Sequence, residues 1–157
     1  MDAEMERARA DALAFLKRHK TGVLATVSAE GEAHASMIYY TADDAFNVFF
    51  LTLMNSRKYA GITAHPQVAF TISTPETPQT LQIEGMATDI SLDREVGKRK
   101  DAILEVLHSN DFFSPPIFKL DPAMSVVVWI KPKWIRWADY AFAKEGTDHV
   151  FKQIPIE

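Results

Sequence analysis

Apolar and polar positions alternate with a period of two along most of this chain, and with a period near that of a helix in only three places. The first helical stretch covers residues 2–19. It carries Leu13, Leu16 and neighbouring alanines on one stripe, Asp2 and Glu4 at its start, Lys17 and Arg18 at its end, and Gly22 just beyond. Gly22–Val27 then reads as a strand, Ala29-Glu30-Gly31-Glu32 as a hairpin turn, and Ala33–Tyr40 as the return strand. Asp43-Asp44 marks another turn, and Phe46–Leu53 a third strand. Asn55–Ala64 reads as a short helix stopped by His65-Pro66. Gln67–Ser73 is a fourth strand, Thr74–Pro78 a loop, and Leu81–Ile90 a fifth strand whose Gly85 marks a bulge or bend. Asp93 to about His108 is the third helix, and Ser109–Pro116 a loop. Met124–Ile130 and Trp134–Asp139 read as a sixth and a seventh strand. The tail from Lys144 has no assigned place, although Phe151, Ile154 and Ile156 allow it to pack or pair.

This grammar predicts one α+β domain over residues 1–157: a six- to seven-stranded, mostly antiparallel Greek-key barrel with flanking helices. Barrel closure is the economical form because it removes exposed strand edges. Composition agrees. The chain has 157 residues, 47% of them apolar and 24% charged, enough to bury a core and too apolar for disorder. Its formal net charge of -4 argues against a polyanion partner, so nucleic acid is not expected. The absence of cysteine excludes disulfides, thiolate nucleophiles and cysteine-ligated metals. No apolar run is long enough to span a bilayer and the first residues are acidic, so a cytoplasmic protein with no membrane partner is expected.

The middle helix holds the candidate chemistry. Acids belong at helix N-termini, where the backbone carries positive partial charge, and the other two helices obey this. Here the natural caps Asn55 and Ser56 are followed by Arg57 and Lys58. Two readings are open: solvated surface cations on a short helix, or an anion site in which a phosphate relieves the repulsion. In the second, Arg57 supplies a bidentate fork, Lys58 a point charge and Thr52, at the end of the preceding strand, a hydroxyl.

Several stretches taken together bear on that choice: Gly22–Val27, Ala33–Tyr40, Phe49-Phe50-Leu51-Thr52, Asn55-Ser56-Arg57-Lys58, His65–Phe70 and Ile83–Ala87. In this order they resemble the FMN-binding split-barrel family of pyridoxamine 5'-phosphate oxidase-like proteins, over roughly residues 10–140. The resemblance implies that Leu51, Thr52, Ser56, Arg57 and Lys58 form the FMN phosphate end of the site. It implies that the strand Ser36, Met37, Ile38, Tyr39 lies along the isoalloxazine, mostly through its backbone. Family members are usually homodimers with flavin at the interface, which makes Gln82, Trp134 and Trp137 candidate contacts from the second subunit. The vitamin oxidase's own substrate motifs are not present: an Arg-x-x-x-x-Lys strand, an Arg-Pro-x-x-Ser segment and a C-terminal Arg-x-His. The likeness is therefore to the shorter general-stress-protein type. It implies an FMN-dependent oxidoreductase acting on an unidentified small substrate, or alternatively a non-catalytic flavin-binding sensor, or a haem- or deazaflavin-binding relative.

Other candidates add little. His19, His34, His65, His108 and His149 show no zinc spacing, and no metal site is expected. Lys131–Trp137 interleaves bases with aromatics, as a single-strand nucleic-acid platform does, but on a strand its residues divide between two faces.

Overall fold

The computed structural model describes residues 1–108 and 122–157; the loop expected at Ser109–Pro116 lies outside these. Helix α1 (Ala3–Arg18) starts where Asp2 caps it, the carboxylate accepting the Met5 N–H at 2.8 Å. It buries Ala8, Ala12, Phe15 and Leu16, one turn apart along its inner face. Strands β1 (Thr21–Val27) and β2 (Ala33–Tyr39) form the expected hairpin, with Gly31 at φ 83° in the turn.

A two-residue strand β3 (Thr41–Ala42) follows, too short to leave a pattern in the sequence. The third predicted strand is trimmed to β4 (Val48–Leu53). Phe46 leaves it for the left-handed region at φ 62°, while its ring is buried. Asp43 holds this turn by accepting from the N–H groups of Ala45 at 3.0 Å and Asn47 at 3.1 Å. Next come α2 (Arg57–Ala64), β5 (Gln67–Ser73), β6 (Gln79–Asp89) and α3 (Val96–His108). Asp93 caps a turn ahead of α3 rather than opening the helix, its side chain accepting the Glu95 N–H at 2.9 Å.

The two strands predicted at 124–130 and 134–139 are one, β7 (Ser125–Asp139). Pro132 does not break it, because the sheet bulges there: Glu84 faces Trp134 and Gly85 faces Pro132, so Lys133 is left over. Gly85 is required at this point, since a Cβ would lie 2.3 Å from the Lys131 carbonyl oxygen. The tail is placed as well. After a 3-10 segment (Tyr140–Glu145) and a single turn α4 (Thr147–Val150), β8 (Phe151–Gln153) pairs with the end of β7 and Ile154 enters the core.

All pairings are antiparallel, in the order β2-β1-β5-β6-β7-β4-β3, with β8 on β7. The two ends of this order, β2 and β3, are separated in the chain by Tyr40 alone, so the sheet curls until its ends approach. The result is an α+β split barrel of eight strands. Tyr40 is buried at this junction and its hydroxyl donates to the Leu16 carbonyl at 2.5 Å. Burial pushes that phenol far above the usual tyrosine range.

Leu24, Phe50, Phe70, Leu81, Ile83, Val128 and Ile130 fill the interior, and α1 adds Phe15 and Leu16. Helix α3 covers the outer face of β4 and β7, where Ile103 packs with Phe49 and Val127. Helix α2 sits against β1, with Gly61 so close that a Cβ would stand 3.2 Å from Thr26 Oγ1. The outer face of the remaining sheet carries two rows in register: Met37, Val23, Thr71, Gln82, Arg136 and, beside it, Ala35, Ala25, Ala69, Glu84, Trp134. Val23 is 43% and Met37 56% exposed in this row. Among the described residues no helix is long and apolar enough to cross a membrane.

Candidate cofactor-binding site

Strand β4 delivers Thr52 to the start of α2 already buried, and Ser56 caps the helix by accepting the Tyr59 N–H at 3.1 Å. The hydroxyl oxygens of Thr52 and Ser56 lie 2.9 Å apart and share one hydrogen bond. As the first residues of the helix, Arg57 and Lys58 have backbone N–H groups with no intrahelical acceptor. No acid occupies that turn. Among the described residues neither cation forms an ion pair. Lys58 is half-buried, and loss of water around its ammonium holds its pKa below the usual lysine value. A partly desolvated cation without a counter-ion, beside two hydroxyls and free N–H groups, forms a set of donors that lacks an acceptor.

Arg57 is the exposed arm of this set. Its Nη2 donates to Nε2 of His34, on β2, at 2.6 Å. His34 and Ser36 share a face of β2, and their cross-strand partners on β1 are Thr26 and Leu24. The Arg57–His34 contact therefore brings β2 against the start of α2, which follows β4, so the site lies between two segments from opposite ends of the strand order. His34 is the site residue that sequence reasoning passed over. Strand alternation puts it on the face of Ser36 and Ile38, which was the available signal.

The other expected residues divide. Ser36 is exposed along β2 within reach of this groove's wall. Met37, its neighbour, points to the outer sheet face instead, while the Ile38 side chain is buried in the core. These two can offer the groove only backbone groups. Tyr39 and Leu51 pack with Phe49 and Val127 beneath α3. Gln82 and Trp134 lie on the outer face of β6 and β7, away from α2 in the same chain. Trp137 is 3% exposed and packs edge-on against Phe15, with ring centroids 5.1 Å apart. It supports α1 and lines a cleft of about 280 Å³ between α1 and the C-terminal segment. The basic-aromatic run of β7 is likewise divided between faces, so it presents no continuous stacking platform. Among the described residues no cluster of three metal-ligating side chains occurs.

The site can now be set beside known proteins. No curated protein sequence matches the chain significantly. Among solved structures, General Stress Protein 26 from Bacillus anthracis is similar at 20% identity and a TM-score of 0.61, over 81% of this chain and 91% of that one. A FAD-binding protein from Mesorhizobium loti is similar at 16% identity and a TM-score of 0.63, over 86% and 92%. A haem-binding protein from Mycobacterium smegmatis gives 18% identity and a TM-score of 0.69; 98% of this chain is covered, but it spans only 58% of that longer chain. At such identities these matches establish the fold and leave the ligand open. The family model described as pyridoxamine 5'-phosphate oxidase matches residues 8–137, a stretch that contains the barrel strands β1 to β6, most of β7 and the whole α2 cradle. The chain belongs to the pyridoxamine 5'-phosphate oxidase family.

Proposed function

We propose that this protein binds FMN through its 5'-phosphate at the start of α2 and acts as an FMN-dependent oxidoreductase on a small substrate. The observation that carries this reading is Lys58, a half-buried ammonium with no counter-ion among the described residues, in a helix turn that also lacks acids. A phosphate dianion is the acceptor that this donor set fits. Arg57 would hold it through a fork, Lys58 through charge, and Thr52 and Ser56 through their hydroxyls. The isoalloxazine would run along β2 past Ser36, held largely by backbone groups. Bound FMN would supply the hydride or electron chemistry, and the chain's task is to grip, orient and shield it.

One subunit of this size has little surplus to enclose a flavin. The outer face that carries Val23, Met37 and the alanines of β1, β2 and β5 has the small and apolar side chains of a self-complementary contact. A homodimer built on it would let Gln82 and Trp134 approach the partner's cofactor. The protein is proposed to work in the cytoplasm as such a dimer, with a soluble electron donor or substrate.

The visible spectrum of the purified protein, with mass analysis of any released ligand, tests the reading. Flavin bands, or their appearance on adding FMN, support it. A colourless protein that fails to take up FMN overturns it, and a Soret band in place of flavin bands assigns the groove to haem. Bleaching by reduced nicotinamide, followed by reoxidation with an acceptor, separates an enzyme from a flavin-binding sensor.

A further inference from the structure

An arginine has only N–H donors and keeps its charge, so in the 2.6 Å contact between Arg57 Nη2 and His34 Nε2 the imidazole must be the acceptor. The ring is then neutral and carries its proton on Nδ1, which is buried with no hydrogen-bond partner. A buried polar atom left unpaired is unfavourable, and the other tautomer could not accept from Arg57 at all. Nδ1 has no partner in either tautomer, so the contact with the guanidinium is what selects this one. Arg57 is otherwise exposed and, among the described residues, forms no ion pair, so this contact fixes where its long side chain points. With Nη2 held, Nε and Nη1 are left for an oxyanion.

We propose that His34 is the positioning residue of the phosphate site, a neutral acceptor that ties Arg57 to β2 and aims its free N–H groups into the groove. This rests on the anion-site reading above and adds to it the contact that orients the arginine. The charged groups around the ring are Arg57 and, one residue on, Lys58 from α2, and Glu32 from the turn before β2, whose Oε2 is 3.9 Å from Nε2. Its cross-strand neighbour Thr26 is uncharged.

FMN and riboflavin are the probes, their affinities read by flavin fluorescence in wild type, His34→Gln and His34→Leu. At about pH 8, His34→Leu should bind FMN roughly five- to tenfold more weakly, while His34→Gln, whose amide oxygen can accept, stays near wild type. Riboflavin, without a phosphate, should respond to neither substitution. Equal FMN affinity in wild type and His34→Leu, or parallel losses for riboflavin, overturn the proposal. A second readout needs no flavin: nitrogen NMR of the free protein should show the His34 ring protonated at Nδ1, and Arg57→Ala should shift it away from that tautomer. An Nε2-protonated ring in wild type overturns the proposal whether or not FMN binds. The Nδ1 tautomer in a protein that takes up no FMN would keep His34 as Arg57's positioning residue and discard only the cofactor.

Discussion

At the residue scale, the cations at the start of α2 decide most of the behaviour. Arg57→Ala should weaken FMN binding by roughly tenfold or more, the loss of a charge-assisted hydrogen bond, measured by equilibrium dialysis. Lys58 adds a pH dependence. Its pKa is depressed in the free protein because burial opposes the charged form. A bound dianion favours that form and raises the pKa again. FMN affinity should therefore fall as pH rises through the depressed pKa, and Lys58→Met should flatten that alkaline limb of the profile. Phe46 is a different case, a buried aromatic held at φ 62°. Burial outweighs the backbone strain, so Phe46→Ala should destabilise the fold by about 3–5 kcal/mol in a denaturant titration.

At the element scale, the β6–β7 pairing and its bulge set the barrel's curvature. Gly85→Ala drives a Cβ against the Lys131 backbone at 2.3 Å, where no flexible side chain can yield. It should cost on the order of 1–3 kcal/mol or more, read from the midpoint of thermal unfolding. The glycine announced this bulge in the sequence, whereas the length of β7 was hidden. Proline ordinarily ends a strand interior, and only the register across Gly85 shows that Pro132 sits where no ladder donor is needed. The reversed charge at α2 was legible because the rule it breaks is local, from one turn of one helix. The place of Trp137 was not, since a tryptophan at an alternating position can face a cofactor or a helix, and only the docking of Phe15 decides. Strand β8 was illegible because three residues carry no period, even though its partner β7 is the strand just before it.

At the scale of the whole molecule, the open question is how the outer sheet face is covered. If a second copy covers it, Val23→Glu combined with Met37→Glu should place like charges directly opposite one another on paired strands and across the contact. Light scattering should then report a monomer, and FMN affinity should fall with it, although neither residue touches the phosphate cradle. A variant that stays dimeric would move the interface elsewhere.

The bond between His34 and Arg57 spans the seam of the barrel, joining β2 to the helix that follows β4. Neither half of the groove can be completed by a partly assembled sheet, because its walls are non-neighbours until the curl is finished. Cofactor capture should therefore act as a clasp on the last folding event. Occupancy at a hundredfold excess over Kd adds about 2.7 kcal/mol to global stability. The amides whose exchange slows most on flavin binding should then lie along β2 and β4 at the seam, and flavin uptake by a newly made chain should report that closure is complete.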